Sequence, residues 1–167
     1  VIMNSVCQYF PDIEYLLLVI NKALKKIPDN GLLFIVDVRD YRLHEELVEE
    51  HLDYVGKKYT IFDIQQIMLN ETELLISPEF FLNLTHKYKH LAVDILERPF
   101  SYINELSKYR YDVIIAINHA RETASTCLKV NDEISYGHQI KRILAEFKTK
   151  NVSNGIYFKK ILNTKLI

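Results

Sequence analysis

The chain has 167 residues, of which 49% are hydrophobic and 26% charged, as in ordinary globular domains with one core. Its 21 basic and 22 acidic residues nearly cancel, so no basic surface for nucleic acid is expected. No apolar run approaches the roughly 20 residues of a membrane span, and two cysteines make neither a disulfide framework nor a metal cluster. We therefore expect no nucleic-acid partner, no membrane, no bound metal and a cytoplasmic location.

The first forty residues read as strand, helix and strand. Val1 to Met3 are apolar, Asn4-Ser5 are polar, and from Pro11 to Ile27 apolar residues recur at helical spacing. Proline suits a first helical position, so we place the helix at 11–27. The apolar run 32–38 is typical of a strand buried on both faces. The pattern is a βαβ unit, in which strands 1–4 and 32–38 run parallel.

The remaining elements follow from periodicity and turn chemistry. Thr60 and Asp63 indicate a capping box, and Ser77-Pro78-Glu79 a capped helix start with proline at its first position. The connection 99–110 is long for a hairpin, and such connections are often functional. The further predicted helices are 42–55, 61–70, 78–88 and 135–149, and the further predicted strands are 90–97, 111–118 and 155–162, with 90–97 antiparallel to 111–118.

Several strings resemble one family of enzyme domains. They are Asn4-Ser-Val-Cys-Gln-Tyr-Phe-Pro11, Leu33-Phe-Ile-Val-Asp-Val-Arg39, Ser77-Pro-Glu-Phe-Phe81 and Asn104-Glu-Leu-Ser-Lys-Tyr-Arg-Tyr-Asp112. In this order they are similar to the S-adenosylmethionine-dependent N-methyltransferase domains of nonribosomal peptide synthetases.

The resemblance implies an α/β fold, the C-terminal half of a class I (Rossmann-like) methyltransferase. The chain would start at the fourth strand of a mostly parallel sheet whose last two strands form an antiparallel pair beside the fifth. Residues 1–167 would be a single partial domain that lacks the N-terminal cofactor-binding half. The absence of a Gly-rich strand-to-helix turn agrees with this expectation.

The residues at the carboxyl ends of the first two strands are the candidate site, since ligands bind there in open α/β sheets. Glu105 is the candidate proton acceptor, with an ion pair to Arg110 or Lys108 as the alternative. Asn4 could serve catalysis, the cofactor or merely a turn, and Asp37 and Arg39 could line the cleft or form structural ion pairs. The predicted catalytic residues are Glu105, Asn4 and Tyr9; the cofactor-binding residues are Asn4, Ser5 and Gln8; the substrate-binding residues are Asp37, Arg39, Asn104 and Tyr109.

The implied reaction is methyl transfer from S-adenosylmethionine to the α-amine of an aminoacyl thioester. The implied partners are the missing N-terminal half, a phosphopantetheine-bearing carrier domain and an adenylation domain. We expect the chain alone to bind S-adenosylmethionine weakly or not at all, and to form homodimers through the exposed edge of strand 1–4. A free-standing O- or C-methyltransferase and a non-catalytic truncated fragment are the alternatives.

Overall fold

The computed structural model describes residues 1–56, 58–98 and 104–118, which belong to one compact unit. Short 3-10 turns cover Cys7–Tyr9 and Tyr41–Leu43. The predicted helix 135–149 and strand 155–162 lie outside the described residues. The strands are β1 (Ile2–Asn4), β2 (Leu32–Arg39), β3 (Leu91–Glu97) and β4 (Arg110–Ile117), and the α-helices are α1 (Ile13–Leu24), α2 (His44–Val55), α3 (Ile61–Leu69), α4 (Pro78–Lys87) and α5 (Glu105–Lys108).

The four described strands form one sheet in the order β1-β2-β4-β3. β1 and β2 are parallel, with Ile2 opposite Phe34, and β3 and β4 are antiparallel, with Leu91 opposite Ile117, so both predicted pairings are confirmed. β4 enters between β2 and β3 and is antiparallel to both. The described sheet is therefore mixed: β1, β2 and β3 run in one direction and β4 runs against them, so one of the three pairings is parallel.

The four predicted helices among the described residues begin within two residues of their predicted starts: α3 and α4 at the predicted residue, α1 and α2 two residues later. Thr60 and Asp63 form the predicted capping box, with Asp63 Oδ2 accepting from the Thr60 amide at 2.7 Å. α1 begins at Ile13 instead of Pro11, because Asp12 is the cap and accepts from the amide of Tyr15 at 2.7 Å. α4 has proline at its first position, but its N-cap serine makes no side-chain capping bond, contrary to expectation.

The core lies between one face of the sheet and helices α1 and α4. The ring of Phe81, which is fully buried, meets Tyr111 edge-to-face with centroids 6.2 Å apart. The Tyr111 hydroxyl donates to the carbonyl of Ile76 at 2.8 Å, so its one polar atom is satisfied. The core includes Leu16 and Ile20 of α1, Leu33, Ile35 and Val38 of β2, Phe81 and Leu84 of α4, and Tyr111, Val113, Ile115 and Ile117 of β4.

The segment before β4 contains a short helix, α5, where the sequence predicts a long connection. Asn104 Oδ1 accepts from the amide of Ser107 at 3.0 Å, and Ser107 Oγ accepts from the amide of Asn104 at 2.8 Å. This reciprocal cap starts α5. None of the helices within the described ranges is long and apolar enough to cross a membrane.

The β1 edge generates a prediction about association. β1 pairs with β2 alone among the described strands, and Val1 and Ile2 are 55% and 44% exposed. An edge strand without charged side chains invites pairing with another chain, so light scattering should show concentration-dependent self-association. Ile2→Lys should weaken it, whereas Leu69→Lys, at a 78% exposed position on α3, should not. A monodisperse wild-type monomer at high concentration would contradict the prediction.

Candidate functional site

A β-bulge at the carboxyl end of β2 shapes the candidate site. Between the paired positions Ile35 and Val38, β2 has two residues where β4 has only Asp112. Asp37, the second of the two, has φ 71°, a left-handed conformation that aspartate tolerates better than most residues. An extra residue shifts the alternation of side chains. Val38 therefore occupies the core face in place of Asp37.

The side chain of Asp112 satisfies the backbone at the bulge. Asp112 is fully buried, and its Oδ1 accepts from the amide of Asp37 at 2.8 Å. The same oxygen accepts from Arg98 Nε at 3.0 Å and Nη2 at 2.6 Å. A buried carboxylate is costly without such partners. These three bonds to Oδ1 offset part of that cost, while the buried Oδ2 of Asp112 has no hydrogen-bond partner among the described residues.

The carboxylate of Asp37 is held by two guanidinium groups. Its Oδ1 accepts from Arg98 Nη1 at 2.9 Å and its Oδ2 from Arg110 Nη1 at 3.0 Å. Burial opposes ionisation, but a hydrogen bond from Ser5 and the charges of Arg110 and Arg98 outweigh it and hold the pKa of Asp37 below its usual 3.8. Asp37 is therefore a fixed negative charge near neutral pH.

The end of β1 brings two predicted residues to this carboxylate. The amide of Ser5 donates to the carbonyl of Val36 at 3.0 Å, and Ser5 itself is left-handed, with φ 53°. Its hydroxyl reaches Asp37 and lies 3.5 Å from Oδ1 of the exposed Asn4. Asn4, Ser5 and Asp37 thus lie together at the carboxyl ends of two parallel strands.

Glu105 joins this group through Arg110. It is the first residue of α5, its side chain is 57% exposed, and its Oε1 lies 3.5 Å from Arg110 Nη2. Arg110 therefore contacts Glu105 and Asp37 at once, whereas Lys108 pairs with Glu46 and Glu50 of α2. We call Ser5, Asp37, Arg98, Glu105, Arg110 and Asp112 the Asp37 cluster.

Arg39 has partners of its own, outside the Asp37 cluster. Its Nη1 binds Glu71 at 3.0 Å and Glu73 at 2.7 Å, and its Nη2 lies 3.5 Å from Nδ1 of the buried His44. Burial and the charge of Arg39 lower the pKa of His44, although Glu71 opposes them. The structural ion pair, one of the two interpretations offered for Arg39, describes these contacts.

The other predicted residues lie apart from the cluster or in structural contacts. Tyr9 is 72% exposed, and Gln8 is buried with an Oε1 that has no hydrogen-bond partner among the described residues. Asn104 caps α5. Tyr109 is buried, and its carbonyl accepts from the amide of Asp40 at 3.0 Å. Across the described ranges no group of histidine, cysteine, aspartate and glutamate could hold a metal ion.

Arg98 and Asp112 were missed as site residues. Asp112 interrupts the apolar run 111–117, and a lone carboxylate in a buried strand must have a partner. That signal predicts a buried cation, but it does not say which one. The sequence around Arg98 does not indicate a buried ion pair, because a charged residue directly after a strand is common.

The chain is similar to segments of very long proteins. It is 39% identical over 132 residues to the nonribosomal peptide synthetase kk1B of Curvularia clavata, which covers 75% of this chain and 1% of that protein. It is 36% identical to the cyclosporin synthetase simA of Tolypocladium inflatum over 143 residues, 80% of this chain and 1% of that protein. The chain is related to a segment of nonribosomal peptide synthetases.

A third relative agrees with these two. The chain is 37% identical over 137 residues to the beauvericin nonribosomal cyclodepsipeptide synthetase of Beauveria bassiana, which covers 78% of this chain and 4% of that protein. No protein-family model matches the chain. The match thus extends over only a few per cent of the length of these synthetases.

The ion pairs of Asp37 predict a pH dependence of stability. Because the pKa of Asp37 is lowered on folding, its contribution is full above 3.8 and is lost as the pH falls through its folded-state pKa. At pH 7, Asp37→Asn should lower the free energy of unfolding by roughly 3 kcal/mol, the low end for breaking a buried pair. Urea denaturation should show this difference shrinking below about pH 4. His44 is common to both proteins, so its titration cancels, and a difference independent of pH would contradict the prediction.

Proposed function

We propose that the chain is part of an S-adenosylmethionine-dependent N-methyltransferase domain of a nonribosomal peptide synthetase. The acceptor is the α-amine of an aminoacyl group held as a thioester on the phosphopantetheine arm of a carrier domain. An adenylation domain supplies that aminoacyl group. The three relatives are named as synthetases of peptides, which supports a role for the chain in nonribosomal peptide synthesis.

The observation that carries the proposal is the strand order. In the methyltransferases that the chain resembles, the last two strands form an antiparallel pair beside the fifth strand. Here β3 and β4 are antiparallel and β4 borders β2, the strand that corresponds to the fifth. The strings 4–11 and 104–112, which carry the resemblance, supply Ser5, Glu105, Arg110 and Asp112 of the Asp37 cluster. Topology and motif therefore support the same family.

Two predicted cofactor residues present groups that suit S-adenosylmethionine. Gln8 Oε1 is buried and has no hydrogen-bond partner among the described residues. A buried acceptor is normally paired with a donor, and an amino group of the cofactor would be such a donor. Asn4 is exposed at the end of β1 and offers both a donor and an acceptor. When bound, the cofactor supplies an electrophilic methyl group on a sulfonium. Asn4 and Gln8 would hold it.

Glu105 suits the role of proton acceptor better than Asp37 does. Both oxygens of Asp37 accept from guanidinium groups, and its lowered pKa makes it a weak base. Arg110 contacts Glu105 at Oε1 alone, at 3.5 Å, and the side chain is 57% exposed. Glu105 Oε2 is therefore the atom that takes the proton from the attacking amine.

The charge of the Asp37 cluster favours an amine as acceptor. Arg98 and Arg110 contribute two positive charges against three carboxylates, Asp37, Asp112 and Glu105, which leaves one net negative charge. An ammonium group is attracted to such a site and then loses a proton to Glu105 before it attacks, whereas a neutral hydroxyl or carbon acceptor gains no such attraction. This balance favours N-methylation over O- or C-methylation.

The cofactor expectation can be tested on the chain itself. Because the described residues include no Gly-rich strand-to-helix turn, we expect isothermal titration of the isolated chain with S-adenosylmethionine to show weak or no binding. An affinity in the low micromolar range would show that the cofactor site has been misplaced.

Replacement of Glu105 tests the catalytic assignment in the complete domain, obtained by joining this chain to the proposed amino-terminal half. Glu105→Gln keeps the shape and removes the base, so turnover should fall about 10²–10⁴-fold with little change in cofactor affinity. The matched control is Glu79→Gln, since Glu79 also lies in the first turn of a helix, is 56% exposed and pairs with an arginine, Arg42, at 3.2 Å. Methyl transfer is measured with labelled S-adenosylmethionine and an aminoacyl-loaded carrier domain.

Two results would contradict different parts of the proposal. A loss smaller than roughly tenfold in Glu105→Gln would make Glu105 a structural residue. No methyl transfer by the wild-type complete domain would favour a non-catalytic segment of the synthetase.

A further inference from the structure

Arg98 lies where four parts of the site meet. It directly follows β3, and its side chain is only 8% exposed. Nε and Nη2 bind Asp112 of β4, and Nη1 binds Asp37 of β2. Nη1 also donates to the carbonyl of Leu106 in α5 at 3.3 Å. One buried guanidinium thus joins the bulge of β2, the carboxylate that supports it and the short helix that carries Glu105.

These contacts require the shape of arginine as well as its charge. Two nitrogens converge on Oδ1 of Asp112 while the third points to Asp37, an arrangement that a planar fork provides. A lysine ammonium would keep the positive charge but could not hold both carboxylates and the Leu106 carbonyl in fixed directions.

Arg98 and Arg110 share Asp37 but differ in their place in the site. Arg110 contacts Glu105, whose side chain is 57% exposed, so Arg110 lies on the solvent-facing side of the Asp37 cluster. Arg98 contacts the fully buried Asp112, so Arg98 lies on the buried side of that cluster. Arg98 therefore acts on the site through Asp37 and α5, without itself facing an acceptor.

We propose that Arg98 is a positioning residue: it fixes the Asp37 carboxylate and the α5 turn that bears Glu105 relative to each other. Its catalytic consequence rests on the proposed methyltransferase function, whereas its effect on Asp37 does not. α5 has a single turn, and its own cap, the ion pairs of Lys108 with α2 and the contact of Glu105 with Arg110 also hold it. The bond from Arg98 to the Leu106 carbonyl ties the backbone of this turn to the guanidinium that binds Asp37.

The first test reads the environment of Asp37 in the full chain without any enzyme assay. Carbon-13 NMR of the aspartate carboxyl groups follows the titration of Asp37, assigned by its loss in Asp37→Asn. In Arg98→Met the Asp37 midpoint should rise towards its usual 3.8, and in Arg98→Lys it should rise less, because the charge remains. The matched control is Arg42→Lys, which alters another arginine that binds an aspartate, Asp40, through Nε at 3.1 Å and Nη2 at 2.8 Å.

The second test measures methyl transfer by the complete domain. Loss of positioning should lower kcat about 100-fold in Arg98→Met, with the KM for S-adenosylmethionine unchanged and with partial recovery in Arg98→Lys. Arg42→Lys should leave kcat at the wild-type value. Far-ultraviolet circular dichroism confirms that each compared variant is folded.

The outcomes separate the two proposals. An Asp37 midpoint that is the same in wild type and in Arg98→Lys, or in a folded Arg98→Met, overturns the positioning role. A shifted midpoint with no methyl transfer by the wild-type domain supports the role of Arg98 at Asp37 and overturns the proposed function instead. A shifted midpoint with unchanged kcat overturns the claim that Arg98 positions the catalytic group.

Discussion

The hydrogen bond from the amide of Asp37 to the buried carboxylate of Asp112 is the contact on which the site depends. A bulge leaves a backbone amide without a ladder partner, and here a side chain of the neighbouring strand accepts from it. Burying Asp112 costs desolvation energy that Arg98 offsets. The bulged amide of Asp37 depends on the Asp112 carboxylate as its acceptor, and that carboxylate is stabilised by the Arg98 guanidinium. The bulge, the carboxylate and the guanidinium therefore form one unit.

This unit determines which side chains reach the carboxyl ends of β1 and β2. Without the bulge, the alternation that places Leu33 and Ile35 in the core would place Asp37 there as well. With it, Asp37 meets Ser5 and two arginines. The same cluster surrounds two carboxylates differently: both oxygens of Asp37 accept from guanidinium groups, whereas Arg110 contacts Glu105 at Oε1 alone.

The sequence was sufficient for the parallel pairing of β1 and β2, because apolar runs and turn residues report on local structure. It could not place β4 between β2 and β3, since sheet order depends on contacts distant in sequence. The bulge left no pattern either: Asp37 reads as one polar residue at a strand end, and its left-handed backbone arises only from the register with β4. For the same reason Arg39, two residues further on, was grouped with Asp37 although it binds Glu71 and Glu73.

Amide hydrogen exchange at Asp37 tests the central claim most directly. This amide has a side-chain acceptor instead of a strand partner, so we expect protection similar to that of the strand amides of β2 in the wild type. Protection should fall selectively at Asp37 in Asp112→Asn, whose neutral amide is a weaker acceptor. Exchange at Asp37 as fast as in an exposed loop of the wild-type protein, or protection unaltered in Asp112→Asn, would contradict the account.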